Sequence, residues 1–228
     1  MRFAIFGDIH SNLEALHAVL ADAKEHHCTH FACLGDIVGY CVNPKECLDI
    51  VRELDCPVVK GNHDELVCMD TAPANVSGLA RMGMAWTKAR LNKDDLIWLN
   101  DLKFVRQVHD FTIVHATLDM PHTWCYVLNE IDAGASFHYQ DTQLCFFGHT
   151  HIPRAYVRGY DVRTVERWQR IIIEAGRKYF INAGSVGQPR DGDWRSSYVI
   201  YHADENWVEL RRVEYDIEQT KRKINEAL

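Results

Sequence analysis

The sequence predicts an α/β protein in which two packed sheets carry helices on their outer faces. Three observations predict it. Residues 2–60 alternate short apolar runs with helical patterns in the order strand, helix, strand, helix, strand; parallel pairing through crossover helices follows from that order. From Phe104 onward the chain is rich in short strands and reads as an antiparallel second half. The composition, 47% apolar and 25% charged, is that of a soluble globular chain with a core to bury.

The elements follow in order. Arg2 to Gly7 is a short apolar run, read as a buried strand. Asn12 to Glu25 places Leu13, Leu16, Ala18, Leu20 and Ala23 at helical spacing, with Ser11 or Asn12 as the cap. His30 to Leu34 is a second strand. Pro44 to Leu54 is a second helix, with Asn43 as N-cap and Pro44 at its first position. Pro57 to Lys60 is a third strand. Leu79, Met82, Trp86 and Leu91, then Leu96, Trp98, Leu99 and Leu102, suggest two helices in an insertion over about residues 70–103. Trp86, Leu96, Trp98 and Leu99 would form its core, or it could lie over a substrate as a lid. Eight strands follow: Phe104–Val108, Phe111–His115, Leu144–Phe147, Ala155–Val157, Ile171–Glu174, Tyr179–Asn182, Ser197–Tyr201 and Trp207–Val213. A helix from about Asp216 to Ala227 ends the chain. With no linker, repeat or low-complexity segment, residues 1–228 read as one domain.

Composition excludes several function classes. A net charge of −7 argues against a nucleic-acid surface, and no dedicated nucleic-acid-binding domain is visible. No apolar run approaches a membrane span. An acid at residue 8 comes too early for a signal peptide, so a cytoplasmic location with reduced thiols is expected. The eight cysteines contain no C-x-x-C pair, which removes the usual zinc spacings. The thirteen histidines say more by position than by number.

Metal-capable residues gather just past strands. Asp8-Ile9-His10 follows the first strand and Gly35-Asp36 the second. Gly61-Asn62-His63-Asp64 follows the third. His115 ends FTIVH, and Gly148-His149-Thr150-His151 follows LCFF. In an α/β sheet, ligands bind at the carboxyl ends of strands, so these segments would converge. In extended backbone, the D-x-H and H-x-H pairs would each point to one side. Imidazole, carboxylate and amide oxygen without thiolate suit Mn, Fe or Zn. Asp36 could bridge two such ions. Glycines 7, 35, 61 and 148 would permit the tight turns after the strands.

Asp8-x-His10, Gly35-Asp36-x-x-Gly39, Gly61-Asn62-His63-Asp64 and Gly148-His149-x-His151 resemble, in order, the motifs of the calcineurin-like metallophosphoesterases. The resemblance spans the chain. The stretch from Asn182 to Asp191, NAGSVGQPRD, is similar to the small bacterial and archaeal branch of phosphodiesterases and diadenosine-tetraphosphate hydrolases. The resemblance implies a four-layer α-β-β-α sandwich of two mixed sheets with a small helical insertion. It implies two divalent metal ions: Asp8, His10 and His151 on the first, Asn62, His115 and His149 on the second, and Asp36 between them. His63 would contact the substrate phosphate and protonate the leaving group, with Asp64 orienting its ring. A metal-bridging hydroxide would attack the phosphorus.

The implied activity is phosphoester hydrolysis, in the first instance of a small nucleotide-like diester. Phosphomonoesters, phosphoproteins and dinucleoside polyphosphates are the alternatives. Relatives that have lost ligands serve as protein-binding scaffolds, which is the alternative from a different class. Oligomeric state is not encoded in these motifs. Arg190 could bind a phosphate oxygen or pair with Asp191 or Asp193; Arg154 is a second, weaker anion candidate. The chain departs from the family pattern at Ala116, after His115, and at Cys41, where glycine is common. Cys41 near the site would make the enzyme sensitive to oxidation. His17, His26, His27, His30, His109, His122, His138 and His202 read as surface or packing residues.

Overall fold

The computed structural model describes residues 1–71, 73 and 78–227. The strands are β1 (Arg2–Phe6), β2 (His30–Cys33), β3 (Val105–Val108), β4 (Phe111–Val114), β5 (Leu144–Phe147), β6 (Ala155–Arg158), β7 (Val162–Val165), β8 (Arg170–Ile172), β9 (Lys178–Asn182), β10 (Ser196–His202) and β11 (Trp207–Val213). The helices are α1 (Leu13–Glu25), α2 (Pro44–Glu53), α3 (Asn62–Cys68), α4 (Gly78–Lys88), α5 (Lys93–Asn100), α6 (Glu130–Tyr139) and α7 (Ile217–Ala227). Residues 72 and 74–77 of the expected insertion, and the side chain of Leu79, lie outside the described residues.

One sheet has the order β2-β1-β10-β11-β8 and the other β3-β4-β5-β9-β6-β7. Both are mixed. β1 and β2 are parallel, as the crossover through α1 requires. The second half is not simply antiparallel: β4–β5 and β5–β9 are parallel. The chain then returns to the first sheet, where β10 lies antiparallel to β1.

The sheets pack face to face through Phe3, Ile5, Phe111, Ile113, Phe146, Ile181, Val199 and Tyr201. The Phe111 ring meets Phe3, Phe146 and Tyr201 edge-on, with centroids 5.1, 5.4 and 5.7 Å away. Each such buried ring contributes about 1.5–3 kcal/mol of apolar burial. On the outer face of the first sheet, Leu16, Val19, Leu48, Val51, Val67 and Leu99 hold α1, α2, α3 and α5. On the outer face of the second, Phe137 of α6 packs with Phe147 and Phe180. The result is the four-layer α-β-β-α arrangement.

The structure departs from the sequence reading at three elements. The third strand shrinks to two bridges, Val58 with Cys33 and Val59 with Lys103. The chain leaves the sheet there because Gly61 must lie against Asp36, and α3 begins at the next residue. The second is α6, unmarked in the sequence because Ile131, Ala133, Ala135 and Phe137 alternate. Its start is set by Asn129, whose side chain accepts from the Ile131 and Asp132 amides, and by packing of Ala133 and Phe137. The third is β7, which pairs with β6 as a hairpin. Asn12 and Asn43 both stand at the expected N-cap positions; Asn12 accepts from the Ala15 amide, whereas the Asn43 side chain donates to Glu46 and makes no cap bond. No described helix is long and apolar enough to cross a membrane.

Candidate metal centre

The segments after β1, β2, β4 and β5, together with the start of α3, meet at one end of the two sheets. There the structure gathers Asp8, His10, Asp36, Asn62, His115, His149 and His151. All except Asn62 are buried. Asp8, His10, Asp36 and His151 offer ligand atoms within 4.8 Å of one another, and so do Asp36, His115 and His149. Asp36 belongs to both groups. Asn62 Oδ1 lies 3.2 Å from His115 Nε2.

The backbone that delivers these side chains is not extended. Asp8, His10, Asp36, His149 and His151 have φ of 50°, 50°, 49°, 67° and 60°. Left-handed backbone at a non-glycine residue costs on the order of 1–2 kcal/mol. The loops hold it by bonding to one another: the amides of Asp8, His10 and Ser11 donate to the carbonyls of Gly35, Asp36 and Ile37, each at 2.9 Å. The Gly148 amide donates to the His115 carbonyl, also at 2.9 Å. The D-x-H and H-x-H pairs therefore converge through turns, not through strand alternation. Glycine is needed at 61 and 148 because of crowding rather than dihedral freedom. A Cβ on Gly61 would lie 2.1 Å from Asp36 Oδ1, and one on Gly148 2.4 Å from Asp8 Oδ2.

Each clustered histidine has one ring nitrogen fixed on a backbone carbonyl. Nδ1–H of His10 donates to Val38, that of His115 to Leu34 and that of His151 to Gln188, at 3.3, 2.8 and 2.6 Å; Nε2–H of His149 donates to Trp124 at 2.9 Å. The tautomers follow from this network. Apart from His115, whose ring Asp36 and Asp8 hold charged, their other nitrogens offer lone pairs. Those of His10 and His151 face each other at 3.0 Å, an arrangement that repels unless a cation lies between them. The donor set therefore fits a divalent ion, and a remote N–H held by a carbonyl is what orients a metal-binding imidazole.

Electrostatics support the same picture. Burial opposes charge on Asp36, but His115 and His63 outweigh it and hold the carboxyl well below its ordinary range. Burial also opposes charge on His115, yet Asp36 and Asp8 push its pKa up to about 9. Burial and then His115 push His149 down to about 4. Burial pushes His10 far below its usual range.

The residues around the cluster bring several corrections. Asp64 does not face the His63 ring. Its carboxylate accepts from the amides of Asp36 (2.8 Å), Ile37 (2.9 Å), Val38 (3.4 Å) and Gly61 (3.0 Å), tying the Asp36 loop to the start of α3. The His63 amide donates to Asp36 Oδ1 at 2.8 Å, and its ring is 4.8 Å from that of His10 and 4.5 Å from that of Tyr40. Arg190 pairs with neither Asp191 nor Asp193. Those acids hold Arg212 and Arg195, while Arg190 donates to Gln188 and lies 5.8 Å over the Tyr40 ring. Arg154 is occupied by the Leu128 carbonyl and Glu166. Cys41 is buried, and burial pushes its thiol up to about 12, which disfavours the thiolate that oxidation needs. His202 is a packing residue, stacked on Trp207 at 3.6 Å.

Sequence reasoning missed Trp124, whose carbonyl holds His149, and Tyr126, which stacks on the same ring at 4.3 Å. It also missed what NAGSVGQPRD does. Asn182 donates to the Gly148 carbonyl, Ser185 Oγ donates to the Asp8 carbonyl, and Gln188 holds His151. The run of small turn residues after β9 was the available signal.

The fold and this cluster define a metal-dependent phosphoester hydrolase. The chain belongs to the calcineurin-like phosphoesterase superfamily, whose domain matches residues 1–206. It is similar to the uncharacterized protein MJ0912 of Methanocaldococcus jannaschii, 37% identical over 225 residues that cover 97% of this chain and 90% of the relative. A crystal structure of a metallophosphoesterase from Sphaerobacter thermophilus is 37% identical, with a TM-score of 0.88, over 100% of this chain and 94% of that one. A hypothetical protein of Pyrococcus horikoshii shares the fold at 18% identity and a TM-score of 0.77, over 99% and 92% of the two chains.

Proposed function

We propose that the protein is a phosphodiesterase that uses two divalent ions, Mn, Fe or Zn, on a small nucleotide-like ester. The facing lone pairs of His10 and His151, each ring locked from behind by a carbonyl, carry this reading. Asp8, His10 and His151 would hold one ion and Asn62, His115 and His149 the other, with Asp36 shared. Bound there, the ions supply Lewis-acid polarisation of the phosphoryl group and acidify the attacking water. Asn62 and His63 contact the phosphate, and His63 holds the proton delivered to the leaving oxygen. Asp64 positions Asp36 rather than the His63 ring. Arg190, held over Tyr40, is the guanidinium offered to the substrate. One such partner suits the single charge of a diester better than the charge of about −1.5 to −2 on a monoester. The chain acts as one domain, 1–228, with the helical insertion at about 70–103. Its eight free cysteines fit a cytoplasmic location.

The test is turnover of bis(p-nitrophenyl) phosphate by chelator-stripped protein with and without Mn²⁺. Mn²⁺ is expected to restore turnover, and Asp36→Ala to lower it by about 10³-fold together with metal content. Full turnover by Asp36→Ala sinks the metal reading. Turnover of p-nitrophenyl phosphate alone sinks the preference for diesters.

A further inference from the structure

We propose that a cavity beside the metal centre receives the organic group of the ester and selects a planar, uncharged one such as an aryl ring or a nucleobase. This rests on the phosphoesterase reading and adds the chemistry of the group attached to phosphate. The cavity, of about 480 Å³, lies between residues 38–42, α3 and α4. That size is within the range of small-molecule sites. Tyr40 and His63 form the side toward the metal centre, Leu66 and Val67 come from α3, and Met84 and Trp86 from α4. None of the described residues lining it is Asp, Glu, Lys or Arg. Beyond His63 at its mouth, a second phosphate or a polyphosphate chain would meet no cationic side chain there, which is costly. A flat ring would gain apolar burial, aromatic contacts with Tyr40 and Trp86, and sulfur contacts with Met84.

Tyr40 links the two spaces. Its ring centroid is 4.6 Å from His10 and 4.5 Å from His63. The residue is 52% exposed and sits at a φ of 56°. Left-handed backbone at an aromatic residue is unusual, and the following amide, that of Cys41, secures it by donating to the carbonyls of His10 and Gly39 at 3.0 and 2.8 Å. His63 is seated against Gly39, where an added Cβ would lie 2.5 Å from Nδ1. The proposed proton donor therefore stands at the boundary between metal centre and cavity, where the bond from phosphorus to an organic leaving group would cross.

Calorimetric titration of the manganese-loaded protein with phenylphosphonate and methylphosphonate tests this, because the two share a charge and differ in the ring. Phenylphosphonate is expected to bind about tenfold more tightly or better. Trp86→Ala should bring the ratio close to one. So should Tyr40→Asn, which removes an exposed ring and retains a residue tolerant of left-handed backbone. Equal affinities in the wild type, or a ratio unchanged in both variants, overturn the recess and leave the phosphoesterase reading standing. Binding of neither phosphonate overturns that reading and the recess with it.

Discussion

Among the proposed ligands, His115 is the one at which protons and metal would compete. In the metal-free protein its pKa stands at about 9, above the ordinary value of about 6.5, because Asp36 and Asp8 outweigh burial. Asp8 and Asp36 are held ionised, and His10 and His149 are held neutral by burial. His115 is thus the proposed ligand that would lose a proton when an ion binds. Binding near pH 7.5 should release about one proton, and affinity should rise about tenfold per pH unit until pH reaches about 9. Titrations in buffers of different ionisation enthalpy would count the proton. Release of none would contradict the assignment of His115 as a ligand. The residue type and its place at the end of FTIVH were legible in the sequence. The charge it carries was not, since that depends on carboxylates from two other strand ends.

At the level of elements, the centre is a set of turns that brace one another. α3 is short, but it begins at the residue after Gly61 and carries Asn62, His63 and Asp64 into the site. Asp64 binds the Asp36 loop through backbone amides, despite burial and the nearby Asp36 charge, which together raise its pKa to about 7. Asp64→Asn keeps one carbonyl acceptor and adds an amide where a donor is unwelcome. It should lower stability by about 2–4 kcal/mol, since each orphaned buried donor costs about 1–3 kcal/mol. It should also weaken metal binding. The acid limb of the pH–rate profile should stay in place; a shift there, with stability intact, would restore the ring-orienting role. The motif G-N-H-D announced the segment, but its helical state and the direction of Asp64 came from packing against residues 35–38.

Across the whole molecule, the first sheet and α1 are joined by an ionic contact on the outer face of that sheet. Asp22 of α1 accepts from Tyr198 of β10 at 2.7 Å and from Arg211 of β11 at 2.9 and 3.1 Å. Burial raises the Asp22 pKa, but these bonds outweigh it and hold the value below 3.8. A depressed carboxyl pKa stabilises the fold above the unfolded value, and the contribution fades as pH falls through the folded one. Asp22→Asn should therefore lower stability by about 1–3 kcal/mol at pH 7. The difference from wild type should shrink below about pH 4. Denaturant midpoints measured at several pH values would check it, and a gap independent of pH would show that charge is not involved. Nothing in local sequence pairs residue 22 with residues 198 and 211; only the return of β10 and β11 to the first sheet does so.

By itself the sequence determined the candidate ligand types, their order and their places after apolar runs, because strand periodicity and metal chemistry are local properties of a few adjacent residues. It also determined that parallel units open the chain. Only the tertiary structure decided how the ligands are aimed. The carbonyls that lock the histidines belong to Leu34, Trp124, Val38 and Gln188, and a backbone carbonyl has no side-chain signature. The left-handed turns at Asp8, His10, Asp36, His149 and His151 are likewise invisible locally. Those residues avoid such backbone in isolation and adopt it here because loops from separate strands supply the hydrogen bonds that outweigh the strain.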